Sequence, residues 1–196
     1  MNYNELAKHI KTYLTLHHQC YRQQCKATLW EEICSNSFAA IHQPTDWKPN
    51  FDHQPGRDQK ILQSEIRISN KTGVYDSTNR ILKSISGSRL QKHKTLQEKL
   101  EFLDSKHDDY IFLLSVDPKE WKRNLIKYYF IVIDSTHLQF ANREWKNKIG
   151  RNGNHTGWKC VTENYEAEIR KSLSDQLWIL NIQSKMFDYI EEIKIQ

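Results

Sequence analysis

A chain of 196 residues and 23.5 kDa is long enough for one ordinary domain with a substantial core. Its 38% hydrophobic and 27% charged residues exclude a disordered tail and a membrane-embedded protein. The longest apolar run, Tyr128 to Ile133, falls far short of a bilayer span, and a net charge of +5 is a mild excess that alone selects no partner.

Taken in chain order, Leu6, Ile10, Tyr13, Leu14 and His17 recur at helical spacing over residues 5–18. A second helix is expected near Leu29. Thr28 and Glu31 have the spacing of a capping box, and Leu29, Trp30, Ile33, Ser37, Ala40 and Ile41 form one stripe. Gln43 to Arg57 holds three of the four prolines and the Pro55-Gly56 turn signal, so it reads as irregular. Gln59–Leu62 and Ile66–Asn70 read as short strands. Thr95 and Glu98 form another capping box, opening a helix with Leu96, Leu100 and Leu103. Tyr110–Val116 and Leu125–Asp134 are rich in aromatic and β-branched residues and read as strands. Asn142–Thr156 is polar, basic and glycine-bearing, which predicts a loop. Leu177–Ile182 predicts a last strand and Met186–Ile193 a helix. With no repeat or linker, the order implies one α/β domain spanning residues 1–196.

The N-terminus lacks a basic segment followed by an apolar stretch, so the expectation is a cytoplasmic protein with no membrane partner. Cys20, Cys25, Cys34 and Cys160, even with His17 and His18, lack the second close pair of a zinc site, which favours reduced structural thiols. Trp30, Trp121, Trp158 and Trp178 are expected in the core, and His93 and His155 are weaker candidates for phosphate contact.

Basic residues cluster in two segments. Arg80, Lys83, Arg89, Lys92, Lys94 and Lys99 fall within residues 80–99, and Arg143, Lys146, Lys148, Arg151 and Lys159 within 142–159. Phosphate neutralisation by such clusters releases counterions, so a nucleic acid is the expected partner. Between the second helix and the first basic segment, Asp58 opens one strand. On the next, Glu65, Arg67, Ser69 and Lys71 share a face while Ile66 and Ile68 point to the core. A carboxylate able to hold Mg²⁺, with a lysine beside the attacking water, is the combination that phosphodiester hydrolysis needs.

The arrangement Asp58…Ser69-Asn70-Lys71, continued by Thr72-Gly73 and by Ser86-Gly87-Ser88-Arg89-Leu90, resembles the PD-(D/E)xK motif of type II restriction endonucleases. It is similar to the variant with serine at the first position of the second half-motif. Arg57 stands where the motif has proline. The resemblance covers residues 28–115. It implies a restriction-endonuclease-like core, a central mixed β-sheet flanked by helices, that cuts double-stranded DNA with Mg²⁺ and acts as a homodimer. It implies catalytic roles for Asp58, Ser69 and Lys71, with Asp58 on the metal. A second carboxylate then has to come from a helix. Glu32 is the candidate, since the capping box claims Glu31; Glu65 is the alternative, and Glu65-Ile66-Arg67 is a rival frame. Arg89, Lys92 and Lys94 would position the DNA backbone. In the second segment, Arg143, Lys148, Arg151, Asn152 and Asn154 would contact DNA, with arginine suited to guanine and asparagine to adenine. A structure-specific or repair nuclease and a non-catalytic DNA-binding module stay open as alternatives.

Overall fold

A computed structural model describes residues 1–49, 58–105, 108–121, 125–172 and 174–195. Helix α1 (Tyr3–Cys20) follows the predicted apolar spacing and buries Leu6, Ala7, Ile10 and Leu14. The Asn2 side chain accepts the Glu5 N–H at 3.2 Å and caps its first turn. Helix α2 (Ala27–Ala40) begins earlier than its capping signal suggests. Lys26 is the N-cap and makes no side-chain cap bond, so the Thr28–Glu31 box does not form. The following residues to Pro49 are irregular apart from one bridge, Thr45 to Ile61; the predicted Pro55-Gly56 turn lies outside the described residues.

The strands are β1 (Gln59–Lys60), β2 (Arg67–Asp76), β3 (Ile81–Arg89), β4 (Tyr110–Val116), β5 (Ile126–Asp134), β6 (Lys146–Ile149), β7 (His155–Val161), β8 (Glu166–Arg170), β9 (Gln176–Gln183) and β10 (Tyr189–Ile195), with helix α3 (Leu96–Ser105) between β3 and β4. Here the capping box does form: Thr95 Oγ1 accepts the Glu98 N–H and Glu98 Oε2 accepts the Thr95 N–H, each at 3.2 Å. All ten described strands join one mixed sheet ordered β10-β5-β4-β2-β3-β9-β8-β7-β6, with β1 also paired to β2. β4 runs parallel to β2 after the α3 crossover; the other pairs are antiparallel.

Two segments differ from the sequence reading. The predicted loop 142–156 contains β6 and the start of β7, joined by a tight turn at 150–154. The predicted helix Met186–Ile193 is a short 3₁₀ turn over Ser184–Met186 followed by β10, which pairs along its length with β5. Neither β3 nor β8 has a counterpart in the sequence reading.

Alternation of side chains gives the sheet two apolar faces. On one, α1 and α2 cover Ile68 of β2, Phe112 and Leu114 of β4, Phe130 and Val132 of β5, and Ile193 of β10. Trp30 is fully buried there, and its indole N–H donates to the Phe112 carbonyl at 3.2 Å. Each such large side chain contributes about 1.5–3 kcal/mol by burial. On the other face, Leu100 and Leu103 of α3 join Leu138, Phe140, Ile85, Leu113, Ile131 and Ile179. β2 thus lies in mid-sheet between two cores, and its polar residues are held by rigid neighbours. Among the described residues no helix is long and apolar enough to cross a membrane.

Candidate active site

The hairpin of β1 and β2 builds the centre of the site. The Asp58 N–H donates to the Ile68 carbonyl at 3.0 Å, which sets Asp58 across the ladder from Ser69. Its carboxylate then meets three donors on one oxygen: the Asn70 N–H at 2.5 Å, Lys71 Nζ at 3.0 Å and Ser69 Oγ at 3.3 Å, all to Oδ2. The side chains of Asp58 and Lys71 are 21% and 26% exposed, so the pair lies at a mouth, neither sealed nor on open surface. Ser69 and Lys71 share a face because they are two residues apart on a strand. Ile68 turns to the helices instead, and so does Asn70, whose buried amide atoms have no partner among the described residues. The Asn70 backbone therefore serves the carboxylate while its side chain fills space behind it.

Asp58, Ser69 and Lys71 open onto a cleft of about 950 Å³ on the α3 side of the sheet. One wall is the turn from β3 into α3, with Arg89, Gln91, Lys92 and His93; the opposite wall is the chain after β5, with Thr136, Gln139 and Asn142. The pairing of β3 with β9 shifts register between Ser86 and Arg89, which bends the strand end and turns consecutive residues toward the cleft.

Both walls are pinned from behind. Lys99 of α3 is 1% exposed, and its ammonium donates to the Leu90 carbonyl at 3.1 Å and to the His93 carbonyl, while pairing with Asp175 at 3.2 Å. Asp104 accepts the Phe140 and Ala141 N–H groups at 3.1 and 2.8 Å, and the Tyr165 hydroxyl donates to the Gln139 carbonyl at 2.7 Å.

The other sequence-derived candidates scatter. Glu32 is exposed on α2, whereas Glu31 is half-buried. The buried Cys34 thiol is pushed up by burial first, then by the charges of Asp58 and Glu31. The reason for setting Glu31 aside, its place in a capping box, disappears with that box. Glu65 adopts a positive φ of 60° in the β1–β2 turn and pairs with Lys60 at 2.7 Å, away from Lys71. Among the described residues no three His, Cys, Asp or Glu side chains are grouped to hold a metal ion.

Of the basic residues, Arg89 and Lys92 line the cleft, while Lys94 is exposed at the head of α3 with its N–H on Glu98. Arg143 lies in a separate polar hollow of about 540 Å³ beside Cys160 and Tyr165. Lys148 is paired with the buried Glu168 at 2.6 Å. Arg151, Asn152 and Asn154 are exposed at the β6–β7 turn. β7 is four strands from β2 in the sheet, roughly 19 Å by strand spacing. Sequence reading missed Gln91, Phe102 and Gln139, and gave Ser86, Ser88 and Asn142 no individual role; they converge on the cleft from three separate segments. The polar alternation of Ser84, Ser86 and Ser88 was the one local signal available.

Comparison with protein-family models, with curated proteins and with solved structures returned no match to the chain in any of the three.

Proposed function

We propose that the chain is a Mg²⁺-dependent endonuclease of the PD-(D/E)xK type that hydrolyses phosphodiester bonds of double-stranded DNA. The observation that carries the reading is the convergence of Ser69, the Asn70 amide and Lys71 on Asp58, at the mouth of a cleft that also presents Arg89 and Lys92. A mixed sheet flanked by helices is the framework that the motif resemblance implies, and it supports the reading.

The residues present fit Mg²⁺, which takes one or two carboxylates and completes its shell with waters and phosphate oxygens. Asp58 would hold it through Oδ1, since the three donors above meet Oδ2. When bound, the ion supplies Lewis-acid polarisation of the phosphoryl oxygen and acidifies a water. Ser69 and the Asn70 amide fix the Asp58 carboxylate. Lys71 orients the attacking water and neutralises charge on the phosphate as it becomes five-coordinate. Arg89 and Lys92 hold the adjoining backbone. The exposed Arg151, Asn152 and Asn154 turn is assigned to base contact. A second copy of the chain would serve the other strand of the duplex.

Plasmid DNA incubated with the protein and Mg²⁺ tests this. Discrete fragments are expected, and Asp58→Ala should lower the cleavage rate by at least about 10²-fold while DNA binding persists. A folded wild-type protein that shifts DNA on a gel but never cuts it would make the chain a binding module. Cutting confined to branched or damaged DNA would make it a structure-specific nuclease.

A further inference from the structure

The cleft beside Asp58 opens between the end of β3 and the chain after β5. At about 950 Å³ it has the size of a small-molecule pocket. Part of its lining is unsuited to a sugar-phosphate backbone. Ile85, Ile111, Leu177 and Ile179 form an apolar floor, where a phosphate would lose hydration and gain nothing. Phe102 adds a wall against which the His93 ring lies tilted, ring centroids 4.2 Å apart and planes at 33°. The amides of Gln91, Gln139 and Asn142 are exposed at the rim, next to Arg89 and Lys92, while Asp58, Ser69, Ser86, Asp104 and Asp108 add less exposed polar groups to the lining.

A slot with an apolar stretch in a mixed lining, amide donors and acceptors at its edge and cations beside it matches one component of DNA, a nucleotide. Its base has apolar faces and a hydrogen-bonding edge. In a stacked duplex those faces are covered by the neighbouring base pairs, and only edges reach the grooves. We infer that the cleft receives a single nucleotide drawn out of the base stack, so the chain acts on DNA that it locally unstacks or that already carries an unpaired nucleotide. This rests on the nuclease reading above and names its substrate class. The base lies on the apolar floor, its edge reaches Gln139 and Asn142, and its phosphate lies toward Lys71. The pinning of both walls by Lys99, Asp104 and Tyr165 means that the slot exists before DNA arrives.

The test uses the full chain carrying Asp58→Ala and three fluorescein-labelled DNAs of one sequence: a fully paired duplex, the same duplex with one unpaired nucleotide, and a single strand. Fluorescence anisotropy should give at least about tenfold tighter binding to the second and third, because the enzyme no longer supplies the unstacking energy. Adding Ser88→Trp, which fills the slot from β3 without touching Asp58, should bring the preference within about twofold while duplex affinity is unchanged. Ser88→Ala should keep it. If the tryptophan variant fails to fold by circular dichroism, Gln139→Ala with Asn142→Ala takes its place, with an expected loss of at least about fivefold in preference. Equal affinity for all three DNAs, or a preference that survives slot filling or rim truncation, overturns the inference. Cleavage by the unmutated chain with Mg²⁺ separates the two readings. Efficient cutting with no preference for unpaired nucleotides sinks only the slot, whereas a preserved binding preference with no cutting sinks only the nuclease.

Discussion

Lys99 illustrates how a single residue can be counted correctly and placed wrongly. In the sequence it is one of six cations between residues 80 and 99, apparently part of a surface for phosphate. In the structure it is buried, with two carbonyls and the Asp175 carboxylate around its ammonium. Taking an ammonium out of water costs several kcal/mol, which only good geometry with several acceptors offsets. Lys83 is likewise committed, to Asp76 at 3.0 Å. A charge in a sequence has the same letter whether it meets phosphate or a protein carbonyl, so the basic segment overstated the free cations. Lys99→Met should leave Asp175 and the Leu90 and His93 carbonyls without their cation. The expected loss is about 3–5 kcal/mol, measured as a lower urea midpoint. An unchanged midpoint would mean that the turn carrying Arg89 and Lys92 is held by other contacts. Asp58, Ser69 and Lys71 were legible for the opposite reason. Their relation depends only on hairpin pairing and strand alternation, which the local sequence determines. Glu31, Phe102 and Gln139 come from distant segments, and no local pattern in one sequence brings them together.

Whole elements follow the same division. β4 and β5 were legible because their aromatic and β-branched runs are buried on both faces of a central sheet. β6 was read as loop because Lys146, Asn147 and Ile149 of this edge strand are exposed, so no apolar alternation marks it. β10 was read as helix because Ile190 and Ile193 are three residues apart. In the sheet, Ile193 and Ile195 serve the α1–α2 core while Ile190 packs on the opposite face. The register of the β7–β8 pair is fixed by a glycine. Gly157 has a φ of 142°, and a Cβ there would collide with the Ile169 carbonyl on β8. Gly153, at the β6–β7 turn, also has positive φ (78°) but open space around it. Gly157→Ala should therefore cost about 3 kcal/mol, a fall in Tm of roughly 6–12 °C. Gly153→Ala should cost about 1 kcal/mol. Equal effects in thermal melts would mean that backbone conformation alone, without the close approach of β8, explains the glycine.

At the scale of the molecule, the sheet is tied together by carboxylates whose ionised form the fold prefers. Burial would raise Glu168, but hydrogen bonds from Lys148 and Arg170 outweigh it and hold the group below its ordinary 4.5. Glu166 is lowered by Lys159, and Glu120 by the Tyr129 hydroxyl and then Lys127. A group depressed in the folded state contributes stability that is fully present above its unfolded value and is lost as pH falls through the folded one. These acids therefore leave stability level above about pH 5 and withdraw it together below about pH 4.5. His18 adds an earlier, smaller loss. Burial holds its imidazole below 6.5, and its Nε2 is 2.8 Å from the Tyr128 hydroxyl, so protonation below that value favours the unfolded chain. Lys127 and Lys159 are raised above 10.5 in the fold, so their contribution is complete below that value and fails only as pH climbs through the folded one. Urea midpoints measured across the pH range should accordingly show a plateau from near neutrality to about pH 9 and a steep fall between about pH 4.5 and 3. Above the plateau the Cys25, Cys34 and Cys160 thiols, held up by burial, favour the unfolded chain. Glu168→Gln should shallow that acid fall, because Glu168 is the member most removed from water, its side chain 6% exposed, and its coupling to Lys148 and Arg170 is the least screened by solvent. An acid limb identical in the two proteins would place the acid sensitivity with the more exposed pairs, and the β6–β7–β8 corner would then be held by pairing and packing alone.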